Sequence, residues 1–399
     1  MEIINPFYKV DEENNVFNIR KKEYDLLEEK IRKIVSPVEE IGFTISEFGF
    51  KESKFTSGEL QRTLKRNLII RLRKDTTDID LSMVIPKLID RNYIMIGGRK
   101  KVPLFQLFDI PIVTRGKNIK IRTNVCSMMI LEEKEFPFIE LSIFNKKVPL
   151  SLVFFAYFGV DETEKRFNLS KLELSDEPKT IYEKFIYDLK DFYDGSAGYT
   201  KEDFIKDVGQ HFSQYDPKVK GEELIYALDL ILKVDIMSAP FFSTGNILDE
   251  ILNVLKNGDI DDTDLRNKRI RCFEYVILGR ISKTIFDFCI ANRVSRNPKF
   301  NINSTQILSD CNVSDIIQFD FSINPIEELT KLTRTSLVGP NGFNRENVPE
   351  YLRDIMPSMF GRICPVDTPD RDNCGVLQSI LPNVKLDDNL RFTDDSLVK

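Results

Sequence analysis

The sequence predicts an α+β, multidomain protein, and three observations carry that prediction. The chain has 399 residues, more than the ~250 at which single hydrophobic cores stop growing, so two or three domains are expected. Short apolar runs that alternate with polar residues fill the stretch from Phe43 to Leu107, whereas apolar stripes at helical spacing dominate later. From Phe319 to Ser379 neither pattern holds, and Pro and Gly punctuate the text, as in loops pinned to a scaffold. With 42% apolar and 30% charged residues, 30 Phe and 12 Tyr, the composition is that of a globular protein.

The elements follow in order. From Lys21 to Val35, Leu27, Ile31, Ile34 and Val35 recur at helical spacing and Pro37 ends the run, which predicts an amphipathic surface helix. NLIIRLR and DIDLSMVI read as strands, and YIMIGGRKKVPLFQL places Gly97-Gly98 between two more, which predicts a hairpin in an antiparallel sheet. FIELSIF is strand-like; a basic turn at Asn145-Lys146-Lys147 follows, and Pro149 opens an apolar helix that closes at Gly159. Two further stripes, Leu224, Leu228, Ile231 and Leu248, Ile251, Leu252, Leu255, the second closed by Gly258, make a separate and mainly helical insertion. The Asp-rich GDIDDTDLRNKRIR reads as a loop leading into a helix with the stripe Ile277, Ile281, Ile285 and Phe288.

The residue inventory excludes several chemistries. One histidine, His211, cannot support a Ser-His-Asp triad or a multi-histidine metal site. Six cysteines at wide spacing, with no CxxC pair, read as reduced thiols, so no structural metal is expected. No stretch reaches the ~18 apolar residues of a spanning helix, and the expected location is the cytoplasm, away from membranes. The net charge is -6, yet residues 265–300 hold nine Lys/Arg against two acids and 91–122 hold eight against one. Such bunching is either a solvated face or a phosphate-facing surface. Asp75, Asp78 and Asp80 read as a turn. Asp259, Asp261, Asp262 and Asp264 lack the ligand spacing of a calcium loop.

The segment Gln318–Ile380 contains Gln318-Phe319, Asn324-Pro325, Arg334, Ser336, Gly339-Pro340, Gly342, Arg345-Glu346, Arg353-Asp354, Pro357, Gly361-Arg362, Cys364-Pro365, Thr368-Pro369, Asn373 and Gly375. In that order and spacing it resembles, without a gap, the β (second-largest) subunit of multisubunit DNA-dependent RNA polymerases. Three other blocks, IPKLIDRNYIMIGGRKKVPLFQL, FNKKVPLSLVFFAYFGVDE and DDTDLRNKRIRCFEYVI, are similar to further segments of that subunit in the same order. The resemblance implies a protrusion domain from residues 1–125 and 265–317 around a lobe at 126–264, then a fork region at 318–399. The sequence stops about twenty residues past the block at Asn373 and Gly375, for which a split β subunit, resembling those of large-genome bacteriophage polymerases, is the simpler expectation and a truncated chain the alternative.

The resemblance also implies roles. Gln318, Phe319, Arg334, Ser336 and Asn373 fall on a wall beside nascent RNA, where polar donors touch phosphates and 2′-hydroxyls without reading sequence. Arg334 is equally readable as the structural partner of a carboxylate. Gly339, Gly342, Arg345 and Arg353 fall on the fork loop, where glycines admit close backbone approach to nucleic acid and arginine offers a fork of phosphate donors, and Asp370 is expected at nucleic acid with the fork loop and wall. Lys268, Arg269 and Arg271 are expected at DNA, as non-specific positive charge. Arg99, Lys100 and Lys101, at the hairpin turn, line an upstream DNA path or are simply solvated. Phe321 and Lys331 replace the Asp and His usual in the wall, so transcription resistant to rifampicin is expected. No catalytic residue or cofactor is assigned to this chain; Mg2+ is expected in the largest subunit, and the chain alone should not polymerise nucleotides. Expected partners are a C-terminal β polypeptide, largest-subunit (β′-like) polypeptides, template and non-template DNA, nascent RNA and a promoter-specificity factor. The rival reading is a polymerase-like nucleic-acid-binding regulator or decoy outside the core.

Overall fold

The computed structural model describes residues 16–52, 63–89, 93–115, 118–133, 136–142, 146–172, 178–196, 198–212, 216–258, 260–261, 263–293, 300–382 and 384–393. Asn145, Asp259, Asp262 and the basic residues at 91, 117, 296 and 299 lie outside them. The chain forms two compact units, residues 1–110 with 262–399, and residues 111–261. Among the described residues no helix is long and apolar enough to cross a membrane.

In the first unit, the expected single helix is two, Val16–Asp25 and Leu27–Val35, and the stripe Leu27, Ile31, Ile34 and Val35 is fully buried. Pro37 opens a 3-10 turn, Ser36–Ile41, which Gly42 ends with a left-handed φ of 86°. A first antiparallel sheet then forms from Thr44–Glu52, Lys65–Lys74, Thr77–Asp80 and Met83–Pro86. In it Asp78 and Asp80 face Arg73 (2.7 Å) and Arg71 (3.9 Å) across the strands, the arrangement of cross-strand ion pairs.

The predicted hairpin is present: Tyr93–Ile96 pairs with Arg99–Pro103, and Gly97 and Gly98 take φ of 62° and 76°. Two successive left-handed residues are what a two-residue turn demands when its twist must match the strands, and glycine supplies them without steric cost. Ile317–Phe319 adds to the far side of this hairpin, with Gln318 opposite Val102 and Phe319 opposite Lys101.

A third sheet gathers segments that are distant in sequence, in the order Lys268–Arg271, Phe105–Asp109, Arg334–Ser336, Leu377–Ile380, Ile363–Cys364. All five residues of Phe105–Asp109 are buried. KRIR is therefore a strand, not the loop read from the sequence. Its side chains lie in the interior because the strand pairs with a fully buried neighbour. Phe105, Leu107, Ile270, Leu337, Val338, Ile363 and Val376 form the core beside this sheet, each contributing roughly 1.5–3 kcal/mol by burial.

The second unit opens with a five-stranded antiparallel meander, Ile112–Arg115, Asn118–Arg122, Ser127–Glu133, Phe136–Leu141 and Lys146–Pro149. Its first strands pair with one another, so the unit starts at Pro111, where the sequence placed its boundary at 126. Lys146 and Lys147 belong to the last strand, opposite Leu141 and Glu140, and not to a turn. The apolar helix Leu150–Phe158 follows and ends at Gly159. Further helices include Ile181–Gly195, Lys201–Gln210, Pro217–Val234 and Ile247–Asn257, and the last two carry the expected stripes inward, except that Leu255 is only half-buried and Val254 is buried. Fold class is thus α+β, with a sheet added to the helical insertion.

Candidate nucleic-acid interface

The pairing of Ile317–Phe319 with Arg99–Pro103 joins two groups of candidate residues that sequence separates by more than two hundred positions. The register continues past the strand, because the Asp320 N–H donates to the Lys100 carbonyl at 3.0 Å. Asp320 is half-buried with its side chain only 3% exposed, and it is ion-paired with Lys100 at 2.9 Å and Lys331 at 3.4 Å. Burial pushes its carboxyl up, but hydrogen bonds from the Ser322 hydroxyl and Lys100, with the Lys100 charge, outweigh that and hold it well below the usual carboxylate range. Lys100 also meets Glu328 at 3.3 Å and lies 3.5 Å above the Tyr93 ring. Lys331 also meets Glu327, at 3.2 Å. Two lysines of this corner are thus shared among three acids.

Lys101 is not a surface residue. It is 2% exposed and donates to the backbone carbonyl and Oδ1 of Asn312, each at 2.9 Å, and burial lowers its ammonium pKa. Its role is to tie the hairpin to the segment before Gln318. Arg99, by contrast, is exposed, with its guanidinium 5.2 Å from the Phe319 ring centre. Phe319 is 40% exposed, and Phe321, 5.9 Å away, is 75% exposed.

The fork-loop glycines owe their identity to packing. Gly339 has φ 145°, and a Cβ there would meet Ile316 Cγ2 at 2.6 Å and Gln106 Nε2 at 2.9 Å. A Cβ on Gly342 would meet the same Nε2 at 2.7 Å. Gln106, fully buried, donates to the Pro340 carbonyl at 3.2 Å, and Arg271 Nη1 donates to the same oxygen at 3.4 Å. The space expected to admit nucleic acid is filled by the Gln106 side chain. Ser336 is buried too, and its hydroxyl accepts from the Val338 N–H at 3.1 Å. Of the two readings of Arg334, the geometry favours the structural one, since it is half-buried with Nη2 3.4 Å from Asp367.

Arg353 Nη1 donates to the Asp372 carbonyl at 3.1 Å, and the Cα of Gly375 packs on Arg353 so closely that a Cβ would come within 2.6 Å of its carbonyl oxygen. Arg353 is thereby tied to the turn that carries exposed Asp370 and half-buried Asn373. Arg345 is exposed, and its ion pair is with Asp315 at 3.9 Å, beside the segment that leads to Gln318. Among the described residues no cluster of three or more His, Cys, Asp or Glu is arranged to hold a metal ion.

The largest departure concerns Lys268, Arg269 and Arg271, which are 3%, 2% and 2% exposed. Lys268 forms an ion pair of 2.6 Å with Asp109, its cross-strand partner, and both side chains are enclosed. Arg271 is sandwiched between Phe108 at 3.2 Å and Tyr275 at 3.7 Å, a cation–π arrangement that suits a guanidinium removed from water. These three are core residues of their sheet and offer no charge to solvent. Gln106, Asp109 and Arg362 were missed. Arg362 is 3% exposed and donates to the carbonyls of Ser358 (2.9 Å) and Thr393 (3.1 Å). The signal for the first two was available: Gln and Asp inside the apolar run VPLFQLFDI are polar groups that must find buried partners.

Residues 318–381 match the family described as RNA polymerase Rpb2, domain 3. Among curated proteins, the chain is 24% identical over 400 residues to the DNA-directed RNA polymerase subunit beta of Cyanidium caldarium, covering 86% of this chain and 36% of that protein. It is 28% identical over 197 residues to the subunit of the same name from Phaeodactylum tricornutum (44% of this chain, 14% of that one). With that from Mycoplasma capricolum it shares 29% identity over 157 residues (35% and 12%). The chain therefore spans about a third or less of the length of the relatives it matches. By these matches the chain is a relative of the RNA polymerase β subunit and corresponds to that subunit's N-terminal region.

Proposed function

We propose that this chain is a non-catalytic part of a DNA-directed RNA polymerase. In this reading it forms one side of the nucleic-acid path beside an active centre whose Mg2+ is held by the largest subunit. The observation that carries the proposal is the match over 318–381 on a segment whose first strand is built onto the basic hairpin. The exposed members of the candidate set, Arg99, Phe319, Arg345, Asp370 and, in part, Gln318, Arg353 and Asn373, are the ones proposed to face template DNA, non-template DNA and nascent RNA. Exposed Tyr351, Ile355, Phe360 and Val366 (40%, 59%, 57% and 84%) support burial against other polymerase polypeptides. Those partners are largest-subunit polypeptides, the remainder of the β subunit and a promoter-specificity factor, all in the cytoplasm.

Affinity capture of the chain from its native source, followed by mass spectrometry, tests the proposal. Polymerase polypeptides should accompany it in fixed ratio; recovery of a lone monomer would defeat it. The replacement of Asp and His by Phe321 and Lys331 in the wall leads us to propose that this polymerase transcribes in rifampicin. Inhibition of the purified enzyme at low drug concentration is the contrary result.

A further inference from the structure

The structure sets Phe321 and Arg99 around the ring of Phe319. Phe319 and Phe321 lie 5.9 Å apart with planes inclined by 38°, and the Arg99 guanidinium lies 5.2 Å from the Phe319 ring centre. Large aromatic side chains at 40% and 75% exposure are unusual on a surface that has a core available to take them. The strand pairing of Phe319 with Lys101, the Asp320 N–H on the Lys100 carbonyl and the Asp320 ion pairs fix the backbone that carries both rings.

Charge decides between occupants. Every carboxylate of this corner is already engaged: Asp320 by Lys100 and Lys331, Glu328 by Lys100 and Glu327 by Lys331. Arg99 forms no ion pair among the described residues, and its contact is the ring face. Lys101 Nζ lies 4.6 Å from the Phe319 ring centre as well, so what the corner offers outward is the open faces of the two rings, Phe321 above all, and the exposed Arg99 guanidinium. That combination matches a single-stranded nucleic acid, whose bases stack and whose phosphates seek an arginine.

We infer that Phe319 and Phe321, with Arg99 beside them, form a stacking platform for one or two unpaired bases of a single-stranded nucleic acid, taken without regard to sequence. This rests on the proposed polymerase role and adds to it an aromatic contact in place of the Asp usual at position 321. Because every base presents a π face, such a platform holds a moving strand without pausing it at particular sequences.

The test uses the full purified chain and a fluorescein-labelled ten-nucleotide oligouridylate, with binding read by anisotropy across a salt series. Phe321→Ala should weaken binding about tenfold at every salt concentration, with the slope against salt unchanged, and Phe321→Tyr should restore it. Arg99→Gln should reduce the slope by about 0.7, the value for one phosphate contact on a single strand. The inference is overturned if the wild type does not bind the oligonucleotide, or if Phe321→Ala binds as wild type does. It is also overturned if Phe321→Ala spares the oligonucleotide but releases a polymerase polypeptide on affinity capture, since the patch would then be a protein-docking surface. Affinity capture of the wild-type chain reads the polymerase role independently, so failure of one reading is distinguishable from failure of the other.

Discussion

Replacing Lys268 by Met separates the interior described here from the DNA-facing role expected from charge. Lys268 and Asp109 sit 2.6 Å apart, directly opposite one another in adjacent strands, at 4% and 3% side-chain exposure. An exposed pair would be worth only about 0.2–1 kcal/mol, but removing one partner of an enclosed pair leaves a charge in the interior and costs about 3–5 kcal/mol. For a unit of this size each kcal/mol moves the melting temperature by about 2–4 °C, so the variant should melt roughly 6–20 °C lower. Mobile ions cannot reach the pair, so the deficit should persist in concentrated salt. The double variant Lys268→Met with Asp109→Leu should recover much of the loss, because two apolar groups replace two matched charges. Urea unfolding of the wild type, both single variants and the double variant gives the coupling, expected to be at least about 3 kcal/mol, because the double variant should cost less than either single one. A single-variant cost below about 1 kcal/mol that fades with salt would place Lys268 at the surface and refute the burial argument.

Other perturbations follow from the same geometry. Gly339→Ala should cost about 1–3 kcal/mol in urea unfolding, since its Cβ would overlap Ile316 and Gln106 at a left-handed φ; an unchanged stability would show the loop to be looser than described. Burial pushes the Asp188 carboxyl up to about 6, against the hydrogen bond it accepts from the Ser151 hydroxyl. Because that value lies above the ordinary one, Asp188 contributes stability that is present below about pH 4 and lost as pH rises through 6. Wild type should therefore gain about 2 kcal/mol relative to Asp188→Asn on going from pH 7.5 to 4, and no relative gain would contradict the assignment. Cys374 is exposed, Cys364 half-buried, and Cys126, Cys272, Cys289 and Cys311 buried. Ellman's reagent should thus find one fast and one slower thiol in the native chain and the other four only after denaturation.

The hairpin and the strand Ile317–Phe319 differ sharply in how far the sequence discloses them. Two alternating runs around Gly97-Gly98 declare their own pairing, because every contact is local. The addition of Gln318-Phe319 to that hairpin carries no local mark. Nor does the sheet that brings together 268–271, 105–109 and 334–336, whose partners are set by burial across long sequence separations. The same limit governs charge. A count of Lys and Arg between 265 and 300 cannot show that Lys268 meets Asp109 or that Arg271 lies between two aromatic rings. Helix stripes were legible in spacing. The break at Leu26 was not: its ψ of -2° leaves the helical range while its φ of -79° stays near it, and a leucine at that position carries no sequence mark of a break. For the candidate site, residue type and order pointed to the segment whose residues 318–381 match the family. Only packing divided its members into outward-facing Arg99, Phe319 and Arg345 and inward-facing Ser336, Lys101 and Lys268.

Photo-crosslinking from a growing transcript tests the account most directly. With 4-thiouridine placed along the RNA made by the captured polymerase, crosslinks should map to this chain within residues 318–373, including Phe319 or Phe321. Transcription that yields no crosslink to this chain, or crosslinks confined to its second unit, would contradict the account.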